Sequence, residues 1–348
     1  MKRIAGVTIL LVTLYSILFA INPQSTEWGT QRNLLNQQAF FGILTLGVGL
    51  LIITGGIDLS MGSVVGFSAV LFGILLKNGV APYSAMVLVL MSGCVIGAIH
   101  AGLITRLKLQ PFLVTLCGLF VYRGAARMLS PGQPVGLQEI LNAAELQGQK
   151  QGDMTAYTSL AGQLETLRQT LVGKDLQGVL AFPMEVVVLL VLAVILGVVL
   201  HRSIWGRYWY AVGHNEQAAK YAGISTEKNK FAVYVLCSFL ASLCGILTLL
   251  DYYSASPPTT GETWELYAIT GAVLGGCSLR GGEGSVPGMV LGAAVLPLLR
   301  KVITAASDHP WVLSQNWKID EIIPALIGLT LLLGTIADEY FRRRAKHH

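Results

Sequence analysis

Apolar runs of near-membrane length follow one another along most of the chain, with short polar stretches between them. Ala39 to Ile53, Val186 to Leu200 and Ile322 to Ile336 approach the ~20 residues needed to cross ~30 Å of hydrocarbon. Counting such runs gives about ten spans, near 4–21, 36–54, 62–77, 82–104, 110–129, 183–200, 230–250, 265–277, 286–303 and 320–338. The predicted fold class is all-α, a polytopic transmembrane helical bundle forming one domain over 1–348. Two polar segments interrupt it: an insertion over 131–182 and a charge-mixed stretch over 201–230.

Composition agrees with this pattern. Charged residues make up 12% of the chain and apolar ones 53%, against roughly 25% charged in soluble domains. Lys and Arg collect on the cytoplasmic side of membrane proteins, so Lys2 and Arg3 place the N-terminus inside. An even number of spans then returns the tail Arg342, Arg343, Arg344 and Lys346 to the same side. The same count puts Arg106, Lys108, the segment 201–230 and Arg280 inside, and the insertion outside. That insertion is net acidic, with Lys150, Arg168 and Lys174 against Glu139, Glu145, Asp153, Glu165 and Asp175. Its Gln, Leu and Ala content predicts short helices between Gln138 and Gln177, forming either a small lid or a decorated loop. Met1 to Ala20 mimics a signal peptide, yet Leu18-Phe19-Ala20 lacks the small residue expected three positions earlier, so it is read as an uncleaved first helix.

Enzymatic signatures are missing. Gly173-Lys174 is followed by Asp175 and lacks the upstream glycine of a P-loop, and no H-E-x-x-H or G-x-S-x-G occurs. Cys94, Cys117, Cys237, Cys244 and Cys277 lie in apolar runs without metal-ligand spacing and are assigned to packing. The histidines His100, His201, His214, His309, His347 and His348 are scattered and receive no catalytic role. The expectation is a protein without covalent chemistry and without a cofactor or metal of its own. The glycine pairs Gly93/Gly97, Gly271/Gly275 and Gly288/Gly292 lie one turn apart, where helix backbones approach closely in lipid.

Within the charge-mixed stretch, Asn215 suits an N-cap, Glu216 favours a first helical turn and Gly223 supplies a left-handed stop. Glu216 to Ala222 should form about two turns, ~10 Å long. Ser225 or Thr226 can cap the helix that follows. Ala218 and Ala219 leave the short helix without bulk, suiting either a groove in a partner subunit or an ordinary polar loop.

Asp58 follows two glycines between apolar runs. An unpaired carboxylate at mid-bilayer costs at least ~2.5 to 3.5 kcal/mol, so it is paired, protonated, capping or near water. It reads as an N-cap for a span starting near Leu59, helped by Ser60 and Ser63, or as a polar gate at a broken helix. Pro111 suits the first turn of a helix with Thr115 on the same face, a candidate pore lining. Arg123 and Arg127 snorkel to the surface or pair with Glu265 or Asp251. Glycines 275, 276, 281, 282 and 284 with Pro287 mark a kinked or re-entrant inner turn, with Arg280 and Glu283 as candidate subunit contacts.

Four ordered blocks carry a resemblance over nearly the whole chain. Trp205 to Ile224 (WGRYWYAVGHNEQAAKYAGI) resembles the cytoplasmic coupling segment of permeases in ribose, xylose and arabinose type ABC importers. Thr54 to Ser63 (TGGIDLSMGS), Gln110 to Leu116 (QPFLVTL) followed by Tyr122-Arg123-Gly124, and Val273 to Val286 (VLGGCSLRGGEGSV) preceded by Glu265, Ala268 and Ile269 are similar to further blocks of that family. The resemblance implies a type II ABC-importer-like permease of a bacterial inner membrane, with both termini cytoplasmic. Its implied partners are a cytosolic ABC ATPase subunit holding ATP and Mg, a second permease chain (identical or paralogous), an external sugar-binding protein and membrane lipid, with no nucleic acid. It implies ATPase coupling through Gly206, Arg207, Tyr210, Gly213, Asn215, Glu216, Ala218, Ala219 and Gly223, and a translocation path past Asp58, Ser60, Phe112, Thr115, Arg123 and Glu265. The implied cargo is a pentose or hexose, while related families carry nucleosides or branched-chain amino acids. The insertion and the stretch from Ser307 to Lys318, with Trp311 and Trp317, are longer than the family pattern and leave the binding protein and sugar open. A secondary symporter would need paired intramembrane charges for coupling, and Asp58 is nearly alone in the predicted core.

Overall fold

A computed structural model describes residues 2–173 and 183–307, and beyond them Ala325, Gly328, Leu329, Leu332 and Ile336. Apart from those five residues the expected tenth span, and with it the 307–318 extension beyond Ser307, the basic tail and the end of the insertion, lie outside the described residues. In chain order the helices are α1 (Lys2–Ile21), α2 (Trp28–Ile53), α3 (Met61–Lys77), α4 (Pro82–Thr105), α5 (Pro111–Leu129), α6 (Leu137–Gln151), α7 (Thr155–Leu171) and α8 (Met184–Arg202). Then follow α9 (Ile204–His214), α10 (Glu216–Tyr221), α11 (Thr226–Tyr252), α12 (Trp264–Leu274) and α13 (Val286–Ser307). The described sheet is one two-residue pair, β1 (Val135–Gly136) with β2 (Ser254–Ala255), antiparallel with Val135 opposite Ala255. The chain is an all-α polytopic membrane bundle.

Seven of these helices are long and apolar enough to cross a membrane: α1, α2, α4, α5, α8, α11 and α13. Two expected spans are short: the 17 residues of α3, at the expected bounds, and the 11 of α12, which ends three residues before its expected bound, reach only about 25 Å and 16 Å. At the other extreme α2 begins at Trp28, before its apolar run, because polar residues such as Gln31 find partners: Gln31 Nε2 donates to the Ser25 carbonyl at 2.7 Å.

The contacts divide the chain into two compact units. The first holds α1, α2, α9, α10, α13 and most of α8 and α12. Val7, Leu14 and Leu18 form one stripe of α1 against Val295, Leu298, Val302 and Ala305 of α13, the spacing of one helical face. Apart from that stripe α1 is exposed, as at Ile9, Val12 and Phe19, the surface a lipid-facing helix presents. Both expected glycine pairs of this unit meet. A side chain on Gly275 would strike the Gly288 carbonyl, and one on Gly292 the Gly271 carbonyl. Lipid supplies no hydrophobic drive between helices, so such close backbone packing holds α12 to α13.

The second unit holds α3 to α7, both strands and most of α11. Here the insertion departs from the decorated-loop alternative. Helices α6 and α7 form a hairpin whose Leu137, Ile140, Leu141 and Leu164 share one core with Phe72 and Leu76 of α3, Val89 of α4 and Leu249 and Leu250 of α11. Arg168 of α7 is fully buried. Its Nε donates to the Leu250 carbonyl at 2.8 Å, its Nη1 bonds the Tyr253 hydroxyl, and its guanidinium lies 3.7 Å from the Tyr253 ring centre. Tyr253 is held at φ 60°, a left-handed conformation uncommon for a residue of its size. Leu137 N–H donates to the Tyr253 carbonyl at 2.8 Å, so the strand pair and Arg168 fix the same corner.

Candidate functional sites

The polar segment after α8 folds as two short helices, where the sequence predicted one. Ser203 opens α9: its hydroxyl donates to the Val199 carbonyl at 2.6 Å and accepts from Gly206 N–H at 3.3 Å. The Trp- and Tyr-rich, glycine-punctuated run 204–214 hides the helix in sequence. Its amphipathic spacing was the signal: Gly206, Trp209 and Val212 are buried while Ile204, Trp205 and Tyr208 are exposed. Asn215 then breaks to extended backbone and its Oδ1 accepts from Ala218 N–H at 3.0 Å, the expected cap of α10. Gly223, at φ 80°, ends the helix; its N–H and that of Ile224 donate to the Lys220 and Ala219 carbonyls, both at 3.0 Å.

The two alanines of α10 face opposite ways. Ala219 is 4% exposed and packs inward, whereas Ala218, Glu216 and Gln217 are exposed. Tyr221, at 87% exposed, and Arg207 extend this outward surface, and aromatic and Arg side chains are the types enriched at protein interfaces.

Helix α9 is bolted to the end of α2 and to the glycine-rich turn between α12 and α13. Gly282 N–H donates to the Ile53 carbonyl at 2.9 Å, and Gly281 and Gly282 take φ 85° and 76°. Gly213 lies against this junction: a Cβ there would collide with the Ile53 carbonyl and come within 2.6 Å of Gly282 N. Tyr210 donates its hydroxyl to the Gly284 carbonyl at 2.7 Å. Burial pushes the Tyr210 phenol up to about 12, so it stays a donor through the physiological range. The glycine turn is thus a seat for α9, and Gly206, Tyr210 and Gly213 face their own chain.

A second polar cluster surrounds the start of α3. Asp58 is fully buried. It does not occupy the cap position, which falls to Ser60 two residues on; its Oδ1 accepts from Ser60 N–H at 2.7 Å and Ser60 Oγ at 2.6 Å. Ser63 Oγ donates to the Ser60 carbonyl at 2.7 Å. Its other oxygen, Oδ2, lies 3.8 Å from His100 Nδ1 on α4, and His100 Nε2 is 3.0 Å from the Tyr122 hydroxyl on α5. Nothing local in the chain pairs His100 with Asp58; the packing of α4 beside α3 brings them together.

One turn along α3, Gly62 and Gly66 leave room for polar atoms from the loop before α12. A Cβ on Gly62 would meet the Glu265 carboxylate and the Gly261 carbonyl, and one on Gly66 would lie 2.9 Å from Arg123 Nη1. Arg123 donates to the Thr260 carbonyl at 2.5 Å and lies in the field of Glu265, so it does not snorkel. Arg127 is exposed. Among the expected path residues, Asp58 with Ser60 and Arg123 with Glu265 therefore gather around the start of α3. Thr115 is buried and turned back onto the Pro111 carbonyl at 2.9 Å. Phe112 is half-exposed on the first turn of α5, about 16 Å along the helix from Arg123.

Residues 31–334 match the family described as branched-chain amino acid transport system / permease component. This chain belongs to that permease family. It is similar to a ribose import permease protein of Bacillus subtilis (strain 168), 34% identical over 83% of this chain and 80% of the relative. A fructose import permease protein of Rhizobium meliloti is 30% identical over 91% of this chain and 79% of its own length. An autoinducer 2 import system permease protein of Enterobacter sp. (strain 638) is 30% identical over 84% and 83%. No solved structure matches. Family and helices together make the chain a multi-pass inner-membrane permease whose partners, as for ABC importers generally, are an ATPase and a binding protein.

Proposed function

We propose that the chain is the permease subunit of an ATP-driven importer for a monosaccharide, a pentose or hexose. It takes the sugar from an external binding protein, pairs with a second permease chain and switches access when cytosolic ATPase subunits, holding ATP and Mg, act on the 201–230 segment. The names of the ribose and fructose relatives support the cargo class. The observation that carries the mechanism is the pairing of an outward α10 face with an α9 seated on Ile53 and the glycine turn. A push on α10 is passed through α9 to the end of α2 and to the α12–α13 turn.

In a reconstituted assembly, uptake of labelled ribose or fructose should require the ATPase subunit, and uptake that persists without it overturns the reading. Ala218→Trp and Glu216→Lys should lower uptake about tenfold while ATP hydrolysis continues, a loss of roughly 1.4 kcal/mol of coupling. Ala219→Trp should instead lower the yield of folded protein, because that position faces inward. Wild-type coupling in the Ala218 variant contradicts the docking face.

A further inference from the structure

The carboxylate, imidazole and phenol at Asp58, His100 and Tyr122 form a line of polar groups inside the second unit. Asp58 and His100 are both nearly inaccessible. Asp58 Oδ1 is satisfied by Ser60, whereas Oδ2 and His100 Nδ1 face each other at 3.8 Å with no other hydrogen-bond partner for either atom. The far nitrogen of His100 meets the Tyr122 hydroxyl at 3.0 Å. Gly118 on α5 makes the room, since a Cβ there would lie 2.8 Å from His100 Nε2. The groups around the pair are otherwise neutral or acidic: Tyr122 from α5, Tyr234 and Cys237 from α11, and Glu265 at the start of α12. Tyr234 donates its hydroxyl to the Ile57 carbonyl at 3.3 Å, beside Asp58. Arg123 is turned to Thr260, which leaves the imidazole as the basic group facing Asp58.

We propose that His100 is a positioning residue for transport: its Nδ1 edge faces Asp58 Oδ2, and through Tyr122 it ties the start of α3 to α4 and α5. A buried carboxylate without a counter-charge is costly in a membrane bundle. Removing one partner of such a pair is strongly destabilising, while neutralising both together is tolerated. This difference defines the assay. The inference rests on the permease reading for its transport consequence, and on geometry alone for the pairing.

Asp58→Asn keeps an oxygen that accepts from Ser60, and His100→Gln keeps a hydrogen-bonding side chain without charge. Each single variant in the full assembly should lose about tenfold in uptake and several degrees of unfolding midpoint, and the double variant should recover most of both. Losses in the double variant that equal the sum of the single losses overturn the pairing. A wild-type assembly that imports no sugar with ATP, beside a double variant that recovers its unfolding midpoint, sinks the importer reading and supports the pair.

Discussion

Arg168→Met should lower the thermal unfolding midpoint of the purified chain more than any single apolar truncation in α6 or α7. The guanidinium is buried without exposure, donates to the Leu250 carbonyl and the Tyr253 hydroxyl, and covers the Tyr253 ring. Hydrogen bonds from a charged donor contribute about 1.5–3 kcal/mol each and a desolvated cation–π contact about 2 kcal/mol, so even partial compensation by the new methyl leaves about 3 kcal/mol of loss. Tyr253 sits at φ 60° and depends on that support. With Arg168 gone, the end of α11 and the β1–β2 pair should loosen together. Proteolysis inside α6–α7 should then rise in step with the fall in midpoint. Arg168→Lys keeps the charge without the planar fork and should recover only part of the loss. An unchanged midpoint in Arg168→Met would show that the apolar core shared with α3, α4 and α11 holds the hairpin unaided.

The same residue marks how far sequence carries. The apolar helices were legible from apolar runs, α10 from Asn215 and Gly223, and the start of α5 from Pro111, because these signals are local. Arg168 was legible only as one charge in a polar insertion, since its burial depends on contacts 82 and 85 residues away. His100 and Gly62 were opaque for the same reason: their meaning lies in what α3, α4 and α12 bring opposite them. The glycine-rich turn looked like a tight turn, and its service as a seat for α9 needed Gly213 to be placed against Gly282. The end of α12 was placed three residues too late because apolar sequence continues to Cys277 while Gly275 and Gly276 have already ended the helix at Leu274.

Gly213→Val is expected to separate ATP hydrolysis from uptake. The substituted Cβ would occupy the space of the Ile53 carbonyl and press on Gly282 N, the two atoms joined by the 2.9 Å hydrogen bond that closes the α9 seat. Relief requires α9 to tilt away or that bond to open, at about 1–3 kcal/mol of overpacking and about 1 kcal/mol of hydrogen bond. Because Tyr210 holds the same helix to Gly284 at 2.7 Å, tilting at Gly213 would strain the second anchor as well. The outward face of α10 would remain, so an ATPase subunit should still bind and hydrolyse ATP, while uptake drops at least about tenfold. Gly213→Ala adds one methyl and should fall between wild type and valine. Tyr210→Phe, which removes one anchor without adding bulk, should show a smaller uptake loss of about threefold, in keeping with the loss of one neutral hydrogen bond. Uptake and ATPase rates measured together on these three variants test the rigid path from α10 to α2, and equal rates in Gly213→Val and wild type would remove it.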